Sequence, residues 1–219
     1  MSLNTLRATI FASLALSVTA FAQPNITVDS PFQVRYAANL NVGDSVINIT
    51  NSGARGAGLA AGTTASTTGA ICVNVYAFSP DEQMISCCSC PVTPNGLVSL
   101  SARQDLISNT LTPAQPTSIV IKLLASVPVG GSCSSSAANP GPLTGGMLAY
   151  GTTVHAAAVA GGDAAITETR FAPATLSFDG VGIGEFARLT SLCTFINANG
   201  SGFGICRSCR LGGLGAGRL

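Results

Sequence analysis

Eight cysteines and a single histidine carry most of the chemistry that side-chain type can promise in this 219-residue chain. The cysteines are Cys72, Cys87, Cys88, Cys90, Cys133, Cys193, Cys206 and Cys209. Cys87-Cys88-Ser89-Cys90 contains one C-x-x-C, and Cys206-Arg207-Ser208-Cys209 is a second. Four thiolates from two such turns, Cys87, Cys90, Cys206 and Cys209, could hold zinc or an iron–sulfur centre tetrahedrally. The same motifs could serve thiol–disulfide exchange, because Arg207 and Arg210 would favour a neighbouring thiolate. Covalent haem is disfavoured, since Arg210 stands where attachment needs histidine. Against all these, an even cysteine count in an oxidising compartment reads first as four disulfides and no cofactor.

The N-terminus decides which compartment applies. Met1 to Arg7 has one positive charge, Ala8 to Ala20 is an uncharged and mainly apolar run, and Ala20-Phe21-Ala22 presents small residues at the −3 and −1 positions. These are the three parts of a secretion signal cleaved before Gln23. The run is shorter than the ~20 apolar residues of a spanning helix, so the expected product is secreted or at the cell surface, with no span in the mature chain. Disulfides therefore lead the reading of the cysteines.

Local geometry narrows their pairing. A four-residue Ser79–Glu82 loop would set Phe78 opposite Gln83 and Asn74 opposite Cys87. Cys72 and Cys87 would then be diagonal neighbours on one face, with Cys88 and Cys90 on the other, because side chains alternate along a strand. Cys193, on the apolar face of a C-terminal helix, is the expected mate of Cys206 or Cys209.

Other candidates carry less. A nucleophile–histidine enzyme would have to use His155, which lies in a strand-like run, and no G-x-S-x-G occurs. His155 reads as a partly buried strand residue, and no catalytic residue is assigned. Asp81-Glu82 reads as a polar hairpin tip rather than an acid/base or calcium pair. Asn25, Asn48 and Asn199 begin N-x-[ST] sequons, which matter only in a eukaryotic secretory pathway. With Arg7 gone, nine basic side chains face nine acidic ones. That neutrality disfavours nucleic acid and anionic membrane as partners. Only 9% of residues are charged, which leaves little electrostatic defence against self-association.

The elements positioning these residues read as strands. Val46–Thr50, Ala70–Phe78, Leu97–Ala102, Thr117–Val127, Met147–Ala158 and Ala164–Arg170 alternate or are β-rich, and Gly, Pro, Asn and Ser clusters separate them. Ile119, Ile121 and Leu123 share one face, Val120 and Leu124 the other. Pro94-Asn95-Gly96 and Gly161-Gly162-Asp163 are turns. Ser52–Gly69 and Val129–Gly146 are long, low-complexity loops. Phe186, Leu189, Leu192, Cys193 and Ile196 fall on one helical face between about Gly184 and Ala198. Asn199-Gly200 provides the stop, Asp179 is a candidate cap, and Leu211–Leu219 is a Gly-rich tail.

The expected architecture is mainly β: an antiparallel β-sandwich-like domain over residues 23–176, with a C-terminal helix and Cys-rich tail over 177–219. The runs Phe78–Gly96, with its C-C-S-C string, and Ser191–Cys209, with I-C-R-S-C, resemble segments of secreted bacterial proteins that have no assigned activity. The resemblance implies export and nothing about chemistry.

The leading expectation is a secreted, non-enzymatic structural or surface-assembly protein, whose partner is itself or another surface component. The alternative is an extracellular metal-binding or thiol-redox protein. Gln23 to Leu40 carries an even-numbered stripe of Ile26, Val28, Phe32, Val34 and Tyr36. It either closes its own sheet or adds to a neighbour's edge. In the second case, deleting Gln23 to Tyr36 would leave a folded monomer.

Overall fold

The computed structural model describes residues 30–56, 69–136, 141–156, 164–177 and 184–210. The expected signal segment, Asn25, Gly161-Gly162-Asp163, Asp179, Leu211–Leu219 and parts of both low-complexity loops lie outside the described residues.

Among the described residues, nine strands form two antiparallel sheets. The first sheet has the order β4 (Met84–Val92), β3 (Ile71–Phe78), β6 (Ile119–Ser126), β1 (Phe32–Ala37), β9 (Ala172–Pro173). The second runs β5 (Leu97–Ser101), β2 (Val46–Asn51), β7 (Met147–His155), β8 (Ala165–Arg170). Ile119, Ile121 and Leu123 of β6 join Val73 and Val75 of β3 against Ile47, Ile49, Leu100, Met147 and Ala149 of the second sheet. This is the β-sandwich expected from alternation, with apolar inner faces packed together. Asn95, at φ +57°, makes the turn that carries the chain from β4 in one sheet to β5 in the other.

Strands β3 and β4 of the first sheet are buried on both faces, which is why they carry nearly unbroken runs of buried residues rather than strict alternation. Its outer face is covered by α1 (Glu185–Ala198). Leu189, Cys193 and Ile196 of α1 pack on Phe32, Tyr76, Met84 and Leu124. Tyr76 is buried, its hydroxyl donating to the Ser135 carbonyl at 3.0 Å, and burial raises its pKa. The helix begins after Gly184 and ends where Gly200 takes φ +80°, close to the expected bounds.

One expectation is corrected here. The loop between β3 and β4 is longer than four residues, with Ser79 N–H bonding the Gln83 carbonyl at 2.9 Å and Glu82 left-handed at φ +65°. A bulge follows, so Ala77 faces Ser86 while Phe78 faces Met84. Cys87 therefore lies opposite Tyr76, not Asn74, and Cys72 lies opposite Pro91. Cys72 and Cys87 share a face but are too far apart along it to be diagonal neighbours. Of the two courses expected for the N-terminal segment, the structure shows the first: it closes its own sheet. From Phe32 to Ala37 it is an internal strand, paired with β6 on one side and β9 on the other. Deleting Gln23 to Tyr36 would open the middle of a sheet and could not leave a folded monomer.

Candidate functional site

Two margins of the sandwich hold the molecule's polar and redox chemistry. The first runs along β4. Adjacent residues of a strand point to opposite faces, and Cys87 and Cys88 use this to tie β4 to two different layers. Cys87 bonds Cys193 of α1 on the outer face, with Cα atoms 5.8 Å apart. Cys88 and Cys90 face the inter-sheet core and bond Cys206 and Cys209, at Cα separations of 4.9 and 5.7 Å. The fourth pair, Cys72–Cys133, anchors the segment after β6. No cysteine is free.

Cys193 is thus the partner of Cys87 rather than of Cys206 or Cys209. The helix packs flat on the sheet and brings Cys193 over β4, whereas the chain beyond it turns around the sheet edge to the inner face. Cys87 also leaves the expected metal set of Cys87, Cys90, Cys206 and Cys209, because its sulfur is on the wrong side of β4.

Backbone bonds hold this returning segment. Phe203 N–H donates to the Cys87 carbonyl at 2.9 Å, Ser89 N–H to the Gly204 carbonyl at 3.1 Å, and Cys206 N–H to the Ser89 carbonyl at 3.0 Å. Residues 203–206 therefore cover the free edge of β4, and Ser89 pairs in parallel with Ile205. The segment then makes one helical turn, α2 (Arg207–Arg210). Asp105, fully buried in a π-helical turn after β5 (Ala102–Leu106), clamps that turn. Its carboxylate accepts from Ser208 N–H at 2.8 Å, Ser208 Oγ–H at 2.6 Å and Ser101 N–H at 2.8 Å. Sequence reasoning missed Asp105 and Ser208. Nothing in Arg103-Gln104-Asp105-Leu106 distinguishes a buried carboxylate from a surface one.

The second margin lies between β1, β7 and β8. The residues of β1 facing the inter-sheet space are Gln33, Arg35 and Ala37, not its even-numbered apolar stripe. Gln33 Nε2 donates to the Met147 carbonyl at 2.7 Å and to the Ser30 carbonyl at 3.0 Å. The Arg35 guanidinium donates to Thr153 Oγ1 at 2.7 Å and Thr169 Oγ1 at 3.2 Å. Burial lowers the pKa of Arg35, and the Glu168 carboxylate opposes that shift. Space for the guanidinium comes from Gly151, where a Cβ would lie 2.9 Å from Arg35 Cδ, Cζ and Nε. Phe171, fully buried, closes the margin as the chain crosses from β8 to β9. Beyond it β8 ends the second sheet, and Ile166 on it is 66% exposed.

His155 is at the exposed end of β7, its Nε2 2.8 Å from Thr167 Oγ1, so it is not the partly buried residue expected. Asp81 lies at the hairpin tip, where the Ser79 hydroxyl donates to its carboxylate and lowers its pKa. Asn48 uses its side-chain amide on Glu168 and Ser99, and Asn199 donates to the Phe195 carbonyl. An open groove of about 680 Å³ lies beside the start of α1, lined by Phe78, Val120, Leu189 and Arg188 and by the Lys122–Glu185 ion pair. No described helix is long and apolar enough to cross a membrane. Comparison with protein-family models, curated proteins and solved structures gives no match.

Proposed function

We propose that this chain is an exported, non-enzymatic structural subunit that associates with copies of itself, or with other surface components, through the second sheet. The observation that carries the reading is the difference between its sheet boundaries. The β4 edge is occupied by the chain's own residues 203–206 and fastened by disulfides. The last strand of the second sheet, β8, ends that sheet and has exposed side chains from Ala165 to Thr169. A strand that ends a sheet is a template for another chain, since its outward N–H and C=O groups can extend the ladder. The outer face next to it presents Tyr150 and Ile166, 41% and 66% exposed, while α1 covers the corresponding face of the first sheet. Low charge adds to this, because few side chains would repel an approaching copy.

The test compares the secreted chain with Ile166→Lys by sedimentation and electron microscopy. The expected result is an assembled wild type and a folded, dissociated variant whose stability lies within about 0.5 kcal/mol of wild type, as for most surface substitutions. A wild-type chain that stays monomeric at high concentration and binds no copy of itself would overturn the reading.

A further inference from the structure

The β4 margin has a property that the assembly reading does not use. The sulfurs of Cys90, Cys206 and Cys209 lie within 4.8 Å of one another. Cys88 is bonded to Cys206, so a fourth sulfur belongs to the same corner of the core. A tetrahedral zinc-type ion with metal–sulfur distances of ~2.3 Å holds its four sulfurs roughly 3.8 Å apart. The sulfurs of Cys90, Cys206 and Cys209 already have nearly that spread, and the Cys88 sulfur, outside the 4.8 Å group but bonded to Cys206, has to move in to complete it. We propose that in its thiol form the chain binds one soft divalent cation of the zinc type through Cys88, Cys90, Cys206 and Cys209.

Three features besides distance support the site. The first is a backbone that holds the ligands without the S–S bonds. The hydrogen bonds of Phe203, Ser89 and Cys206 to the β4 edge, and of Ser208 to Asp105, involve no sulfur and so do not require the S–S bonds. The second is ligand direction. Cys88 and Cys90 are two apart on one strand and share its inner face, while Cys206 and Cys209 are three apart on the α2 turn. The third is environment. Cys88, Cys90 and Cys206 are fully buried and Cys209 is partly exposed, which suits a closed four-ligand structural site entered past Cys209. Four thiolates around a divalent ion carry net charge −2, and Arg207 and Arg210 flank the two α2 ligands.

The redox balance is simple. A newly made chain carries its cysteines as thiols, so binding before oxidation needs no reductant, and four thiols release four protons to the solvent as the metal enters. From the disulfide form, each of the two S–S bonds takes two electrons and two protons from a dithiol or phosphine reductant, which is oxidised in turn. Metal and disulfides therefore exclude each other at these positions, and the bound ion would protect four of the eight thiols from oxidation. Cys87 and Cys193, on the far face of β4, take no part.

The experiment uses the purified wild-type chain, reduced without denaturant by a phosphine. Cadmium(II) is added at one equivalent, and the chain is pulse-alkylated and mapped by mass spectrometry. The expected result is loss of alkylation at Cys88, Cys90, Cys206 and Cys209 when cadmium is present, with Cys72, Cys87, Cys133 and Cys193 labelled as in its absence. Uniform labelling with and without metal would overturn the proposal. So would protection of a set that includes Cys87. Reduction that unfolds the chain and abolishes protection would also overturn it, since the hydrogen-bonded cradle would then not stand by itself. In Cys206→Ser/Cys209→Ser, Cys88 and Cys90 should lose their protection, and protection retained there would place the metal elsewhere.

Discussion

The two margins of the sandwich solve the same problem by opposite means. Each must close the gap between two sheets and deal with a strand that has no further neighbour. At β4 the chain folds back on itself, pairs its own backbone to the edge and bolts it with Cys88–Cys206 and Cys90–Cys209. At β8 the gap is filled by Gln33 and by Arg35 with the threonines it bonds, and no described strand pairs with the far side of β8. Covalent closure gives rigidity and hides the edge. Polar closure seals the core and leaves β8 as the last described strand of its sheet. The comparison teaches that the terminal segment is an edge cover first and a cysteine carrier second.

The largest effect should come from unbolting the first margin. Replacing Cys88, Cys90, Cys206 and Cys209 together by alanine removes two native disulfides, each worth about 2–5 kcal/mol. That is a large share of the stability of a typical domain, roughly 5–15 kcal/mol. Denaturant titration should show a chain still folded in water but with a much lower midpoint, prone to aggregate through β4 once it opens. The pair Cys72→Ala/Cys133→Ala should lose only one disulfide's worth. Equal losses in the two variants would remove the special status given to the β4 edge.

Asp105→Ala should come next. Its buried carboxylate accepts three hydrogen bonds, and hydrogen bonds to charged groups contribute roughly 1.5–3 kcal/mol each, so a loss of about 3 kcal/mol is expected after relaxation. Limited proteolysis should cut first between Gly200 and Arg210. A variant as resistant there as wild type would show that the disulfides alone hold the segment.

The polar margin can be broken more gently. Gly151→Ala forces a methyl against the Arg35 side chain, and overpacking of this kind costs about 1–3 kcal/mol. Arg35→Ala should relieve the clash, so the double variant should be less destabilised than the sum of the two single changes, as a double-mutant cycle would read. Strict additivity would mean that Gly151 is small for another reason.

The smallest effect is at the hairpin tip. The carboxyl pKa of Asp81 is depressed by the Ser79 hydroxyl, so its contribution is present above the ordinary carboxylate pKa of about 3.9 and lost as pH falls through the folded value. Asp81→Asn should therefore flatten only the acid end of the stability profile. A change near neutral pH would contradict this assignment.

Strand positions and the α1 helix were legible because each has a simple period. Phe186, Leu189, Cys193 and Ile196 repeat at helical spacing, and the alternation of β6 names both of its faces. Pairing was harder to read, since one bulge near Phe78 shifts every cysteine of β4 against β3. The C-terminal motif suggested a local link with Cys193, but which way a chain turns past a sheet edge is not encoded in spacing. Arg35 inverted the usual rule. It stands where alternation puts an apolar side chain, and only Gly151 and the threonines of β7 and β8, more than 100 residues away, make that burial affordable.

The bolting of β4 also has a consequence in time. Cys87, Cys88 and Cys90 wait for partners 106, 118 and 119 residues further along, whereas Cys72 needs only 61. If the chain crosses a membrane amino end first, the three β4 thiols arrive together and unpartnered, while their mates are still on the other side. Each can then be oxidised only to a wrong neighbour or to an outside thiol. Correct pairing must come last and in one step, when the final segment wraps the edge. If the proposed export holds, correct pairing should depend on a disulfide isomerase, and its absence should trap chains whose β4 cysteines are linked to one another or to Cys72.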